Sequence, residues 1–286
     1  MRVILVPVAD RPECAHALEA AFRLAARFDA NVVGCHIRPH RQSRVNMPGL
    51  KSIAAQEWVS AHKGKNPDKL SRDARTLFGQ VAEGVDYRVA QRAGVQSRGV
   101  GIWQERVGAP ANVIPIIGPM SDLLVLSRPG PKGGKLAHLF MMESLLHACR
   151  PVLLLPQRRM REPGRNILIG WNQSPEASRA VAAGMPLLER ADSVTIAVAG
   201  QESAPGPKAK HLLQYLRHHG IDAKVTTSQG KNPARELEVA YREAGADLLL
   251  MGAYSRHRLR EQIFGGVTDH MLMRTKLPVL VYHSAS

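Results

Sequence analysis

Hydrophobic and polar positions alternate in blocks along the whole chain. Short apolar runs, such as "VILVP" from Val3 and "NILIG" from Asn166, are bounded by polar residues. Runs of this kind are typical of strands that are buried on both faces of a parallel sheet. Segments with apolar residues at helical spacing follow them, so the pattern predicts strands that alternate with helices.

The segment after the second of these runs shows how a helix is predicted. Ser174 is the expected N-cap, and Pro175 takes the first helical position, where its missing N–H costs nothing. The apolar positions that follow fall on one helical face: Ala177, Ala180, Val181, Gly184 and Leu188. The same face recurs near the start of the chain: Cys14, Ala17, Leu18, Ala21 and Ala25.

The chain repeats itself. "RVILVPVADRPECAHALEAAFRLAARFD" from Arg2 aligns without a gap with "RNILIGWNQSPEASRAVAAGMPLLERAD" from Arg165, and "DLLVL" from Asp122 matches "DLLLM" from Asp247. "RPVLLLP" likewise matches "LPVLVYH" near the end. Such self-similarity predicts two copies of one α/β domain, at residues 1–157 and 165–286. Each copy is expected to be doubly wound, with a mostly parallel five-stranded sheet and helices on both faces. The first copy carries a basic insertion at about residues 38–96.

The chain is strongly basic, with a formal net charge of +15. The positive electrostatic potential of such a chain attracts nucleotides, polyanions or acidic proteins, and the charge does not distinguish among these partners. The basic insertion is expected to be a solvated face. No apolar run is long enough to span a membrane, and the first residues do not form a secretory leader. The sequence therefore predicts a cytoplasmic protein without a transmembrane segment.

The candidates for catalytic or metal chemistry are weak. The three cysteines have no zinc-type spacing and are predicted to be reduced, buried thiols, and no metal site is predicted. "GPKGGK" from Gly130 lacks the spacing of a P-loop. Neither a Ser–His–Asp order nor a nucleophile elbow is present, so a non-enzymatic protein is favoured.

One stretch combines the features of an anion site. The apolar run from Leu248 ends at Gly252, a basic loop containing Ser255 and Arg256 follows, and Gly265 and Gly266 precede a predicted short helix. Glycines let the backbone turn tightly and approach a ligand. The N–H groups of Val267 and Thr268 would open that helix toward an anion.

The stretches "ILIGWNQSPEASRAV" and "DLLLMGAYSRHRLREQIFGGVTDHMLMRTKLPVLV" resemble the universal stress protein family, and the whole chain resembles a tandem member. Some members bind ATP through Gly, two residues, Gly, nine residues, Gly, then Ser or Thr. Here Gly252, Ser255, Gly265 and Gly266 stand at those positions, with the spacing kept and two residue types changed. The resemblance implies weak ATP binding in the second copy, or binding of phosphate or sulfate at the Gly266 helix start.

The adenine side of the pattern is also altered. ATP-binding members have an Asp at the end of the first strand, where this chain has Trp171, Asn172 and Gln173. Trp171 could stack on an adenine, or be buried against a neighbouring helix. The first copy keeps Asp10 at the matching turn but has His138 and Leu139 in place of the paired glycines, and is predicted not to bind a nucleotide.

The resemblance also implies that the two copies pair through their last strands, "PVLLL" and "PVLVY", as an intramolecular pseudo-dimer that could assemble further. The predicted function is a non-enzymatic stress-response protein with a nucleotide or phosphate site in the second domain. Two alternatives stay open. One is a slow ATPase or nucleotidyl transferase that uses Asp269 or Glu261, and the other is a scaffold for acidic partners or polyanions.

Overall fold

The computed structural model describes residues 1–9, 11–39, 58, 60–94, 98–129, 135–160, 162–203, 205–253 and 266–283. The chain divides into two compact units. One comprises Met1–Arg150 and Gln157–Arg161, and the other comprises Pro151–Pro156 and Glu162–Ser286. Each unit has the predicted α/β architecture, with a mostly parallel sheet.

The first unit alternates strands and helices, and its described strands lie in the order β3-β4-β2-β1-β5. All of these neighbours are parallel. Its elements are β1 (Val3–Pro7), α1 (Pro12–Phe28), β2 (Asn31–Arg38), α2 (Pro67–Gly84), β3 (Val89–Ala90), β4 (Gly101–Val107), α3 (Pro110–Ile117), β5 (Leu123–Ser127) and α4 (Lys135–His147).

The second unit follows the same alternation. Its elements are β6 (Val152–Leu155), β7 (Asn166–Gly170), α5 (Pro175–Leu188), β8 (Ser193–Ala199), α6 (Ala209–His218), β9 (Ala223–Ser228), α7 (Pro233–Glu243), β10 (Leu248–Gly252), α8 (Val267–Asp269) and β11 (Val279–Tyr282). The described strands lie in the order β6-β11-β10-β7-β8-β9, and β6 alone is antiparallel to its neighbour.

The two repeat-equivalent last strands, β6 and β11, pair with each other. Leu153 lies opposite Leu280, and the two strands run antiparallel. The predicted approach of these strands is therefore confirmed. The strand that the repeat assigns to the first copy lies in the second unit, because it completes that unit's sheet beyond β11.

Helix α5 begins as predicted. Ser174 is its N-cap, and the Ser174 hydroxyl accepts a hydrogen bond from the N–H of Ala177 at 3.1 Å. The predicted apolar face of α5 is buried over its whole length. A capped first turn and a buried stripe are sufficient reason for a helix at this position.

The repeated aspartate before β5 and β10 has a structural role in each unit. The Asp122 carboxylate accepts hydrogen bonds from the N–H groups of Arg2 and Val3 at 2.5 and 2.9 Å. The Asp247 carboxylate accepts from the N–H groups of three successive residues entering β7, at 2.8 to 3.2 Å: Gly164, Arg165 and Asn166. The repeat thus preserves a carboxylate that fixes the first strand of each copy, β1 or β7, beside its neighbour.

We expect Asp247→Ala to lower the free energy of unfolding by about 1–3 kcal/mol, because three backbone donors lose their charged acceptor. Urea denaturation followed by circular dichroism measures the change. Asp222→Ala, at an exposed position of the same unit, removes the same charge and is the control. Equal losses in the two variants would contradict the role assigned to Asp247.

The insertion supplies a helix that covers the first sheet. A Cβ at Gly34 of β2 would lie 2.4 Å from the ring of Phe78, so α2 packs directly on the strand at this glycine. Cys35 on the same strand is buried, and burial raises the pKa of its thiol to about 12. The prediction of three buried cysteines is confirmed for Cys35 alone. It is wrong for Cys14, which is half-buried, and for Cys149, which is exposed in the turn after α4.

The same strand carries a buried histidine. His36 is 5% exposed, and because a carbonyl can only accept, its Nδ1–H donates to the Val8 carbonyl at 2.9 Å. Burial has the largest effect on the pKa of His36 and lowers it. The Val8 hydrogen bond and Glu105 raise the pKa and Arg38 lowers it, and the net change is a lowering. The corresponding position of the second unit is Val198, which is also buried, so the fold itself needs no imidazole here.

We expect the first unit to lose stability as the pH falls below about 6.5, the ordinary histidine pKa. A base whose folded pKa is lowered takes up its proton mainly on unfolding, so acid favours the unfolded chain. Denaturation at about pH 7.5 and pH 5 should show a smaller loss for His36→Val than for the native chain. His218→Gln, at an exposed position, is the control, and an equal loss in all three proteins would contradict the assignment to His36.

Candidate functional site

The strand order of the second unit reverses at β7 and β10, and the space outside the carboxyl ends of these two strands is called the crevice below. The chain passes from β7 to β8 and β9 on one side, and then returns to β10 and β11 on the other. The strands β7 and β10 are parallel neighbours, with Gly170 beside Met251 at their carboxyl ends. In open α/β sheets, ligands bind outside the carboxyl ends of the strands at such a reversal of strand order.

Gly252 ends β10 at this crevice. A Cβ at this position would lie 2.5 Å from the backbone nitrogen of Ala177 and 2.5 Å from the carbonyl carbon of Glu176. The first turn of α5 therefore touches the end of the strand. This contact with the backbone of α5 is sufficient to require glycine at position 252, whether or not a ligand binds.

The turn after β7 forms the other side of the crevice. Trp171 is only 4% exposed, and its Nε1–H donates to the Pro207 carbonyl at 2.9 Å. Asn172 is exposed, and its Oδ1 accepts from the N–H and the hydroxyl of Ser174 at 3.2 and 2.7 Å. Asn172 thus supports the start of α5. Because Trp171 is buried, its ring has no exposed face on which a base could stack.

Gly266 begins the helical segment that precedes β11. It has φ 86° and ψ −158°, a conformation that is essentially restricted to glycine. Val267 and Thr268 lie in α8, which continues without a break into a π-helical turn at His270–Arg274. The first N–H groups of such a helix have no acceptor within the helix and are suited to an anion.

A polar pair holds this helical segment on α7. His270 Nε2 lies 2.9 Å from Oε1 of Glu238. Burial raises the pKa of Glu238, but the hydrogen bonds from His270 and Thr275 outweigh this effect and the pKa is lowered overall. The carboxylate is therefore ionised at neutral pH, and it fixes the position of the helix that follows Gly266.

The structure brings Trp171, Asn172 and Gly252 together at the crevice. Ser255, Arg256 and Gly265 lie outside the described residues, as do Asp10 and residues 130–134 of the "GPKGGK" segment. His138 and Leu139 lie inside α4 of the first unit. Three residues that the sequence did not indicate also contribute to the second unit's site, because their roles depend on tertiary contacts: Lys208, Glu238 and His270.

Other parts of the described chain offer weaker sites. A groove of about 520 Å³ lies at the opposite end of β8 and β9, and it is lined by carboxylates that would repel an anion: Asp192, Asp222 and Glu243. No three His, Cys, Asp or Glu residues of the described chain are grouped so that they could hold a metal ion. A search of the described helices for a membrane span finds none of sufficient length and hydropathy.

The model of the universal stress protein family matches residues 1–108 and 175–283. The chain belongs to this family and consists of two tandem domains of it. A search of curated proteins found no match.

Solved structures show the same fold over nearly the whole chain. A universal stress protein from Archaeoglobus fulgidus DSM 4304 is similar with a TM-score of 0.70 and 14% identity, covering 98% of this chain and 97% of that protein. A protein of Pseudomonas aeruginosa UCBPP-PA14 assigned to the same family is similar with a TM-score of 0.56 and 14% identity, covering 99% and 93%. At this level of identity the likeness extends to the fold alone.

Proposed function

We infer that the second unit of this universal stress protein binds a phosphate-bearing ligand and that the protein acts through binding rather than catalysis. The observation that carries this proposal is the reversal of strand order at β7 and β10, in a unit whose last helical segment begins at the glycine-specific conformation of Gly266. Backbone N–H groups at a helix start hold phosphate without a side-chain hydroxyl. The change from Ser or Thr to glycine at this position therefore does not remove the means of binding.

Two further observations support an anion rather than a cation or a neutral ligand. The chain has a net charge of +15, which raises the local concentration of phosphate compounds. Gly266 has φ 86° and ψ −158°, a conformation that glycine adopts readily, and it leaves the start of the helix without a side chain that would keep an anion away from the first N–H groups.

The test is a titration of the full chain with ATP, inorganic phosphate and adenosine by calorimetry at one fixed salt concentration. ATP and phosphate should bind at one site per chain, and adenosine should give no heat. Any nucleotide that co-purifies is identified by mass spectrometry after denaturation. Absence of heat with both ATP and phosphate would refute the proposal, and salt-sensitive binding of polyanions alone would favour the scaffold function instead.

A further inference from the structure

The segment between β8 and α6 lies across the turn that follows β7. This β8–α6 segment comprises residues 200–208, of which Ala204 is outside the described residues. The Lys208 ammonium donates to Oε1 of Gln173 at 3.1 Å and also to the carbonyl of Glu202. Together with the bond from Trp171 to Pro207, these contacts attach the segment to the turn at two successive points.

The segment and the turn are packed backbone against backbone. A Cβ at Gly206 would lie 2.2 Å from the carbonyl oxygen of Gln173. Gln173 itself is 4% exposed and has a φ of 63°, an unusual conformation for a residue other than glycine. No aromatic ring fits between chains that approach this closely.

The segment is also fixed at its far end. The Glu202 carboxylate accepts a hydrogen bond from the N–H of Ala209, the first residue of α6, at 2.5 Å. The N–H of Lys208 donates to Nδ1 of His211 at 3.0 Å. The segment is thus anchored on the helix that follows it and on the turn that it covers.

These contacts determine which ligands the crevice can accept. Ligands of open α/β sheets lie outside the carboxyl ends of the strands, so a nucleoside bound to this unit would be expected beside the end of β7. The place next to β7 is filled by the chain's own Pro207, Gly206 and Lys208.

We propose that the β8–α6 segment excludes the nucleoside, so that the second unit recognises the phosphate part of its ligand and not the base. The phosphate part of this inference rests on the proposed function. The contacts of the β8–α6 segment with Trp171 and Gln173 do not depend on it. The ligand class is phosphate-rich anions such as inorganic polyphosphate. Lys208 and Gly206 are the residues that determine this specificity.

Calorimetry with tripolyphosphate and ATP tests the specificity. The full native chain should bind the two with affinities within about threefold of each other, since the base contributes nothing. Lys208→Met removes the attachment to Gln173, and Gly206→Ala pushes the backbones apart. Each should raise the affinity for ATP by about tenfold or more while tripolyphosphate changes by less than about threefold. Lys210→Met, an exposed change of equal charge on α6, should leave the ratio unaltered.

The inference would be overturned if ATP bound the native chain about tenfold more tightly than tripolyphosphate. It would also be overturned if the ratio of the two affinities were unchanged in both Lys208→Met and Gly206→Ala. If neither compound binds the native chain, the proposed function fails. The contact of the β8–α6 segment with the turn after β7 is then tested by hydroxyl-radical footprinting, which measures each tryptophan separately. Oxidation of Trp171 should increase in Lys208→Met relative to Lys210→Met, and equal oxidation would overturn the cover as well.

Discussion

A single methyl group at Gly252 is expected to destabilise the second unit by about 1–3 kcal/mol. The added Cβ of Gly252→Ala would lie 2.5 Å from two backbone atoms of the first turn of α5, at Glu176 and Ala177. Backbone atoms in a capped helix turn cannot move aside as a flexible side chain can, so the strand and the helix must separate. Denaturation by urea, followed by circular dichroism, measures the change in the free energy of unfolding.

The control is Gly79→Ala in α2, where no atom lies within 4 Å of the added Cβ. Alanine is the better helix former, so this variant should be neutral or slightly more stable. If Gly252→Ala were as stable as the native chain, the close contact between β10 and α5 would be wrong. The role of Gly252 would then have to be sought in ligand binding alone.

The elements that the sequence predicts well are those whose cause is local. The segment "NILIG" is β7 from Asn166 to Gly170, and the cap at Ser174 forms as expected, because apolar runs and capping residues act over a few positions. The repeat adds information of longer range. It points to Asp122 and Asp247 as equivalent residues, and the structure gives both the same backbone donors at the first strand.

The contacts around the candidate site could not be predicted in this way. Lys208 meets Gln173 across 35 positions, and His270 meets Glu238 across 32. Neither pair belongs to a spacing pattern, because each depends on where α6 and α7 lie on the finished sheet. The sequence identifies the turn after β7 as unusual, but only the fold shows that the turn is covered by its own chain.

At Gly266 the family pattern and the backbone conformation lead to different expectations. Compared with the family, glycine stands where Ser or Thr is usual, and Gly266→Ser would be the obvious change to tighten ATP binding. The backbone at Gly266, with φ 86° and ψ −158°, disfavours any side chain. We therefore expect Gly266→Ser to weaken phosphate binding in this chain, because the helix start must distort to accept the side chain.

A negative charge at Gly266 is expected to have the largest effect on ligand binding. Gly266→Ala and Gly266→Asp impose the same backbone strain, so the difference between them isolates the charge. Two unit charges 4 Å apart interact by about 4 kcal/mol near a protein surface, and part of this is screened by salt. The aspartate variant should therefore bind tripolyphosphate about tenfold more weakly than the alanine variant, or weaker still. Calorimetry on both variants, with circular dichroism to confirm equal folding, measures this difference. Equal affinities in the two folded variants would place the phosphate away from Gly266 and leave the crevice without its anion site.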